Sequence, residues 1–133
     1  MSVHEQLTAA LVAALAEHGP LAAVLTGVFD GAPARCALPW AQVVEPVLVD
    51  WSTKDMAGRE GRVSVILRDA GERPVRLRML AGAAEDALAA MPGAIGEGWR
   101  VVTLLPVRSR IVADGPGKWM AAGEWRVRML REG

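Results

Sequence analysis

The fold is decided by residues 99–130, which read WRVVTLLPVRSRIVADGPGKWMAAGEWRVRML. Residues 99–112 are mostly β-branched and apolar, which favours a strand, and the Asp-Gly-Pro-Gly sequence at 114–117 predicts a turn. Apolar and charged side chains then alternate along residues 119–130. The apolar positions are Trp125, Val127 and Met129, and the charged ones are Glu124, Arg126 and Arg128. A period of two is typical of an antiparallel strand with one buried face, so we predict a long closing hairpin.

Three further segments have the composition of strands. Residues 62–68 alternate, with Val63, Val65 and Leu67 pointing one way. Residues 40–51 form a longer extended run in which Pro46 removes a backbone donor, which predicts an edge strand or a bulge. Residues 28–29 suggest a very short strand. The polar residues 52–61 are predicted as a connection longer than a tight hairpin needs, and long connections are often functional.

Two helices are predicted. Ser2 and Glu5 have the form of a capping box, and leucines then recur every four residues until the Gly-Pro sequence at 19–20. An alanine-rich helix follows Pro74 and ends before Pro92. The order helix, strands, helix, strands predicts an α+β fold in which a mainly antiparallel sheet of about four to five strands packs on two helices. We expect residues 1–133 to form a single domain.

Composition excludes several classes of protein. The chain has 133 residues, 52% of them hydrophobic and 23% charged, which excludes intrinsic disorder. No uninterrupted apolar run is long enough for a membrane span, and the N-terminus lacks the plan of a secretory signal. The single cysteine, Cys36, has no partner for an internal disulfide, which favours a reducing compartment.

The zero net charge conceals an asymmetry, because residues 1–57 carry −4 and residues 58–133 carry +4. We expect the two halves to pair with each other, either within one chain or between copies. Thirteen of the fifteen basic residues are arginine, which favours planar, bidentate pairing over a diffuse cationic field. A protein that binds nucleic acid usually carries a basic excess instead.

Catalytic and metal-binding patterns are not found. His4 and His18 are fourteen residues apart on one helix, so they cannot share a metal ion. Cys36 has no positioned base, and the glycines at 93–98 precede neither a helix nor a lysine. We therefore expect no enzyme, no cofactor and no metal.

Tryptophan is unusually frequent for so small a chain, with five residues. A core of this size accounts for about three of them. The others could lie at a protein–protein contact, where tryptophan and arginine are enriched together, and the charged strand faces fit that interpretation. A plain solvated face is equally consistent with these arginines.

The order of these segments resembles that of the bacteriophage tail-completion family, the tail terminators of siphophage-type tails and of gene transfer agents. The resemblance covers nearly the whole chain. It is carried by HEQLTAALVAAL, PLAAVLTG, VFDGAPARCALPW, DWSTKDMAGREGRVSVILRD, RMLAGAAEDALAAM and RSRIVADGPGKWMAAGEWRVRML. DWSTK, GRE and VSV form the most distinctive stretch. The Gly-Pro-rich hairpin turn and the two strand prolines, Pro46 and Pro106, depart from the family pattern.

The resemblance implies a structural virion protein. Terminators form a ring, usually of six subunits, on the head-proximal end of the tail tube, where they stop tube polymerisation and dock on the head connector. The implied partners are other copies of the chain, the tail tube protein and the connector. DNA passes through the lumen without sequence-specific binding, and no membrane is involved. The implied location is the tail of a virion or gene-transfer-agent particle assembled in the bacterial cytoplasm.

Two alternatives stay open. One is another head–tail joining or minor tail protein; the more distant one is a small ligand-binding protein or enzyme with a pocket near Trp51 and Trp99. Under the terminator interpretation, the 52–61 connection is a candidate contact along the tube axis or into the lumen, and alanine at Arg126 and Arg128 should weaken ring or tube binding. The full candidate interface is Asp50, Trp51, Lys54, Asp55, Arg59, Glu60, Arg62, Arg68, Arg126 and Arg128.

Overall fold

The computed structural model describes residues 1–132 and contains three helices and seven strands over that range. The helices are α1 (Val3–Glu17), α2 (Gly19–Ala22) and α3 (Val75–Ala89). The strands are β1 (Val28–Asp30), β2 (Trp40–Val43), β3 (Val47–Asp50), β4 (Gly58–Ala70), β5 (Ala94–Gly96), β6 (Trp99–Ala113) and β7 (Lys118–Arg131). The predicted α+β class is confirmed.

All seven strands form one sheet in the order β1-β2-β4-β7-β6-β5, with β3 paired to β4 beside β2. Every pairing is antiparallel except β1 with β2. The prediction of four to five strands and two helices was therefore wrong. Pro46 divides the predicted 40–51 strand into two, which pair in succession with β4, and β1 and β5 are only three residues long.

The predicted closing hairpin is confirmed. Strands β6 and β7 pair along almost their whole length around the turn at 114–117. The ladder shifts register between Pro106 and Arg108, as expected where a proline supplies no N–H donor. A second shift lies between Val101 and Thr103.

One face of the sheet is covered by α1 and α3. The Glu5 N–H donates to the Ser2 hydroxyl at 3.2 Å, which caps α1 as predicted. Leucines at the predicted spacing are then completely buried at positions 7, 11 and 15, and α3 buries Leu77 and Leu80. The sheet contributes Ala41, Val43, Val63, Val65, Leu67, Ala121, Trp125, Val127 and Met129 to this core. Trp99 and Trp125 belong to this core, Trp40 is buried on the opposite face in the row of Arg68, and Trp51 and Trp119 are half-buried.

The opposite face of the sheet, which we call the open face, points away from this core. Side chains of β4 and β7 that alternate with the core residues lie on it, including Arg62 and its cross-strand partner Arg126. The same row continues outward to Val47 of β3 on one side and Leu105 of β6 on the other. The open face therefore presents the charged positions that the alternation predicted.

Candidate functional site

The candidate site is a shallow groove of about 450 Å³ on the open face. It is lined by Val49, Glu60, Gly61, Arg62, Arg126 and Arg128. The alternation of β4 and β7 brings these side chains together, because Glu60 lies opposite Arg128 and Arg62 lies opposite Arg126. Four of the ten predicted interface residues therefore line one groove.

Ion pairs organise the arginines around this groove. Arg128 Nε lies 3.0 Å from Glu60 Oε2, and Glu124 is held between Arg62 at 3.3 Å and Arg108 at 3.4 Å. Within residues 1–132, Arg126 has no carboxylate within 4 Å. Four arginines of the open face thus share two glutamates. Some of their guanidinium N–H groups remain available to pair with carboxylates of another protein.

Two more predicted residues, Trp51 and Arg68, also lie on the open face. The Arg128 guanidinium lies 4.9 Å from the centroid of the Trp51 ring, so this arginine contacts both an aromatic ring and Glu60. Arg68 stacks on Trp40, 5.7 Å from its ring centroid, and forms an ion pair with Asp114 in the hairpin turn. Stacking and pairing restrict these side chains before any partner binds.

Asp50 and Arg59 lie apart from the groove, on the side of the sheet that faces the helices. They are cross-strand partners with an ion pair of 3.4 Å, and the Arg59 guanidinium lies 5.9 Å from the Trp99 ring centroid. The Ser52 hydroxyl donates to Asp50 Oδ1 at 2.5 Å. This hydrogen bond, with a smaller contribution from Arg59, holds the pKa of Asp50 below its ordinary value of 3.8.

Lys54 and Asp55 are exposed in the connection between β3 and β4. This connection spans residues 51–57 and is shorter than the predicted 52–61, because β4 begins at Gly58. The Trp51 N–H donates to the Gly58 carbonyl at 2.9 Å and closes it. The predicted contact segment is therefore a seven-residue connection, and its contact with a partner stays a prediction.

Sequence reasoning missed the apolar part of the open face. Val47, Val49 and Leu105 are 66%, 56% and 58% exposed and lie in the same rows as the arginines. The Val-Leu-Val-Asp alternation of β3 was the available signal for the valines. Glu124 and Arg108 were also left out of the predicted interface, although the alternation had placed Glu124 on this face.

The two oppositely charged halves of the sequence hardly pair within the chain. Among residues 1–132, one side-chain ion pair joins an acid of the first half to an arginine of the second, that between Asp50 and Arg59. The other pairs of arginine with carboxylate lie within the second half. The expected pairing within one chain is thus limited to a single contact.

Other possible sites are poorly equipped for chemistry. Residues 1–132 contain no group of three or more histidine, cysteine or acidic side chains that could hold a metal ion. A cavity of about 480 Å³ lies between residues 55–57, 97–98 and 131–132 and is largely open to solvent. Cys36 Sγ contacts the Thr26 hydroxyl at 3.1 Å. None of the helices in the described part of the chain is long and apolar enough to cross a membrane.

Comparison with known proteins decides the family. The family model described as tail completion protein gp17 matches residues 9–129. The chain belongs to this family. It is therefore a structural tail protein, and the open face is a surface of a tail-completion protein.

The fold of this tail-completion protein also occurs in a solved particle. A chain in the structure of the virion of a native gene transfer agent particle superposes with a TM-score of 0.82, at 22% sequence identity. The match covers 97% of this chain and 98% of that one. Among curated proteins, none matches the sequence.

Proposed function

We propose that this protein is a tail terminator, which forms a hexameric ring on the head-proximal end of the tail tube. The ring stops further addition of tube protein and offers its other side to the head connector. The proposal rests on the match of residues 9–129 to the tail-completion family. In this role the protein works by binding and not by catalysis.

The open face supports the proposal because it suits contact with another protein. It combines half-exposed aromatic and apolar side chains with partly paired arginines, the composition in which interface energy concentrates. A head-to-tail contact that closes into a ring does not grow into a filament. Termination then follows, because the ring covers the growing end of the tube and presents a different surface.

Arg126 is the residue on which we test this contact. It lies in the groove, has no carboxylate partner among residues 1–132, and is free to pair with an acid of the tube or of a neighbouring subunit. We expect Arg126→Ala, combined with Arg128→Ala, to reduce the number of correctly terminated tails by at least tenfold in cells that lack the native gene. Losing one charge-assisted contact costs about 1.5–3 kcal/mol, which corresponds to about 10- to 150-fold in affinity.

The matched control is Arg73→Ala with Arg78→Ala, which also removes two positive charges, from exposed positions before and within α3. Normal tails with both the control and the double variant would refute the role of Arg126 and Arg128. Normal-length tails without heads, in cells lacking the gene, would point to a head–tail joining protein. A small molecule that raises the Tm of the purified protein would reopen the ligand-binding alternative.

A further inference from the structure

The sheet ends in two edges that lack a neighbouring strand. Within residues 1–132, β5 pairs with the start of β6 only, so β6 has a free outer side beyond Val101. Strand β3 pairs with β4 alone, so its outer side is free as well. Free edges expose unpaired backbone donors and acceptors, which proteins normally shorten, cover or block with charge.

These two edges also carry most of the exposed apolar side chains. Val47 and Val49 lie on β3, and Val102, Leu105 and Val107 lie on β6. Together they are five of the eight large hydrophobic residues that are exposed within the described part of the chain. Exposed apolar edges of this kind indicate a surface that is covered in the assembled state.

The two edges match each other row by row. One row of cross-strand partners runs from Val47 through Arg62 and Arg126 to Leu105. A second row on the same face runs from Val49 through Glu60 and Arg128 to Thr103. The rows of Leu48 and Asp50 end at Leu104 and Val101. Strands β3 and β6 run in opposite directions, because β3 and β7 are both antiparallel to β4 and β6 is antiparallel to β7. A second copy in the same orientation would therefore bring its β3 antiparallel to β6, without a shift along the strands.

We propose that β6 of one subunit pairs through residues 101–105 with β3 of a neighbouring copy. The sheet then continues from subunit to subunit around the ring. This interface rests on the ring proposed above and specifies how its subunits join. Val47 and Leu105 of adjacent copies come together on the open face, so apolar surface is buried next to the arginine groove.

The complementary edges favour a second copy as the occupant. Among residues 1–132, the outer sides of β3 and β6 lack a partner at the same rows, and the two strands run in opposite directions. One contact between two copies therefore supplies a neighbouring strand to both edges.

The irregularity at Pro106 fits the same arrangement. Farther along β4, its neighbour is β2 instead of β3, and the outer side of β2 is already paired with β1. The β6 strand of a neighbouring copy therefore cannot pair there. The register shift between Pro106 and Arg108 falls between the rows of β3 and those of β1. Because proline ends the ladder and a bulge bends the strand, β6 is able to leave the neighbouring sheet at this point.

Cysteine pairs test the interface directly. We would make Val49→Cys and Thr103→Cys in a Cys36→Ser background and oxidise both the purified protein and the purified particles. Within one chain these positions are separated by three strand spacings, about 14 Å, which is too far for a disulfide. Every disulfide between them must therefore join two copies.

We expect a ladder of crosslinked species that ends at a closed ring for the double variant. Each single variant should stay uncrosslinked, and a mixture of the two should give dimers only. The control pair is Val75→Cys with Met79→Cys on the exposed side of α3. Absence of the ladder both in solution and in particles, or equal crosslinking of the control, would overturn the proposal.

A charge variant separates this interface from the proposed function. Val47→Lys with Leu105→Lys places cations on both exposed edges, so it should leave the Tm unchanged while abolishing ring formation and tail termination. Normal termination by this variant overturns the edge pairing and leaves the terminator role intact. Normal tails in the complete absence of the gene overturn the terminator role instead.

Discussion

Gly61→Ala tests the local geometry on which the β3 edge depends. A Cβ at position 61 would lie 1.7 Å from the Val47 carbonyl oxygen and 2.8 Å from its carbon. Both atoms are backbone, so no side chain can turn away, and β3 must retreat by more than 1 Å to reach the 3.0 Å below which Cβ contacts are essentially never found. A retreat of that size breaks hydrogen bonds in the ladder of four residue pairs between β3 and β4.

We expect Gly61→Ala to cost about 2–4 kcal/mol, from two or more ladder bonds worth about 1 kcal/mol each and the partial exposure of Leu48. For a chain of this length, 1 kcal/mol corresponds to about 3–4 °C in Tm, so the Tm should fall by about 7–14 °C. The assay is thermal unfolding followed by circular dichroism, with hydrogen exchange to locate the loss in β3.

The control is Gly82→Ala, at an exposed position of α3 where an added Cβ meets nothing within 4 Å. Alanine is favoured over glycine inside a helix by about 0.5–1 kcal/mol, so the Tm should rise by about 2–4 °C. A Gly61→Ala protein within 2 °C of the native Tm, or a Gly82→Ala protein destabilised to the same degree, would show that β3 does not need glycine at position 61.

Two further predictions concern acidic side chains. The buried carboxylate of Asp69 accepts from Arg76 Nε at 2.8 Å and Nη2 at 2.6 Å, which holds the pKa of Asp69 below its ordinary value of 3.8. The ion pair stabilises the fold above pH 3.8, and this stabilisation is lost as the pH falls through the pKa of Asp69 in the folded protein. Arg76→Gln should therefore lower the free energy of unfolding by about 1–3 kcal/mol near pH 7 and by less near pH 3, as measured by urea unfolding. Ser52→Ala should raise the pKa of Asp50 in an NMR titration, because Ser52 donates the hydrogen bond that chiefly lowers it; an unchanged pKa would contradict that cause.

The closing hairpin and α1 could be predicted because their signals are local. A turn sequence between two extended segments, one of them with a period of two, specifies β6 and β7, and Ser2 with regularly spaced leucines specifies α1. The very short strand predicted at residues 28–29 is confirmed as the start of β1, whereas β5 could not be predicted, because its three residues carry too little pattern.

The glycines at the start of β4 explain the misplaced connection. The polar Gly-Arg-Glu-Gly sequence at 58–61 suggested a loop, but glycine is needed there because β3 passes so closely that a Cβ would collide with it. The division of the 40–51 segment into β2 and β3 at Pro46 was not predicted either, because both strands pair with β4.

The candidate site was predictable only in part. Alternation along β7 placed Arg126 and Arg128 on one face, and the structure puts them in one groove with Glu60 and Arg62. The alignment of Val47 with Leu105 depends on the register of four strands, which a single sequence does not contain.

The most direct test of the terminator role is electron microscopy of tails from cells in which this gene has been deleted. A terminator is required to stop the growth of the tube, so we expect tails of abnormal and variable length without attached heads. Restoring the gene should return both tail length and head attachment to normal. Tails of uniform, native length joined to heads in the deletion strain would contradict the terminator role.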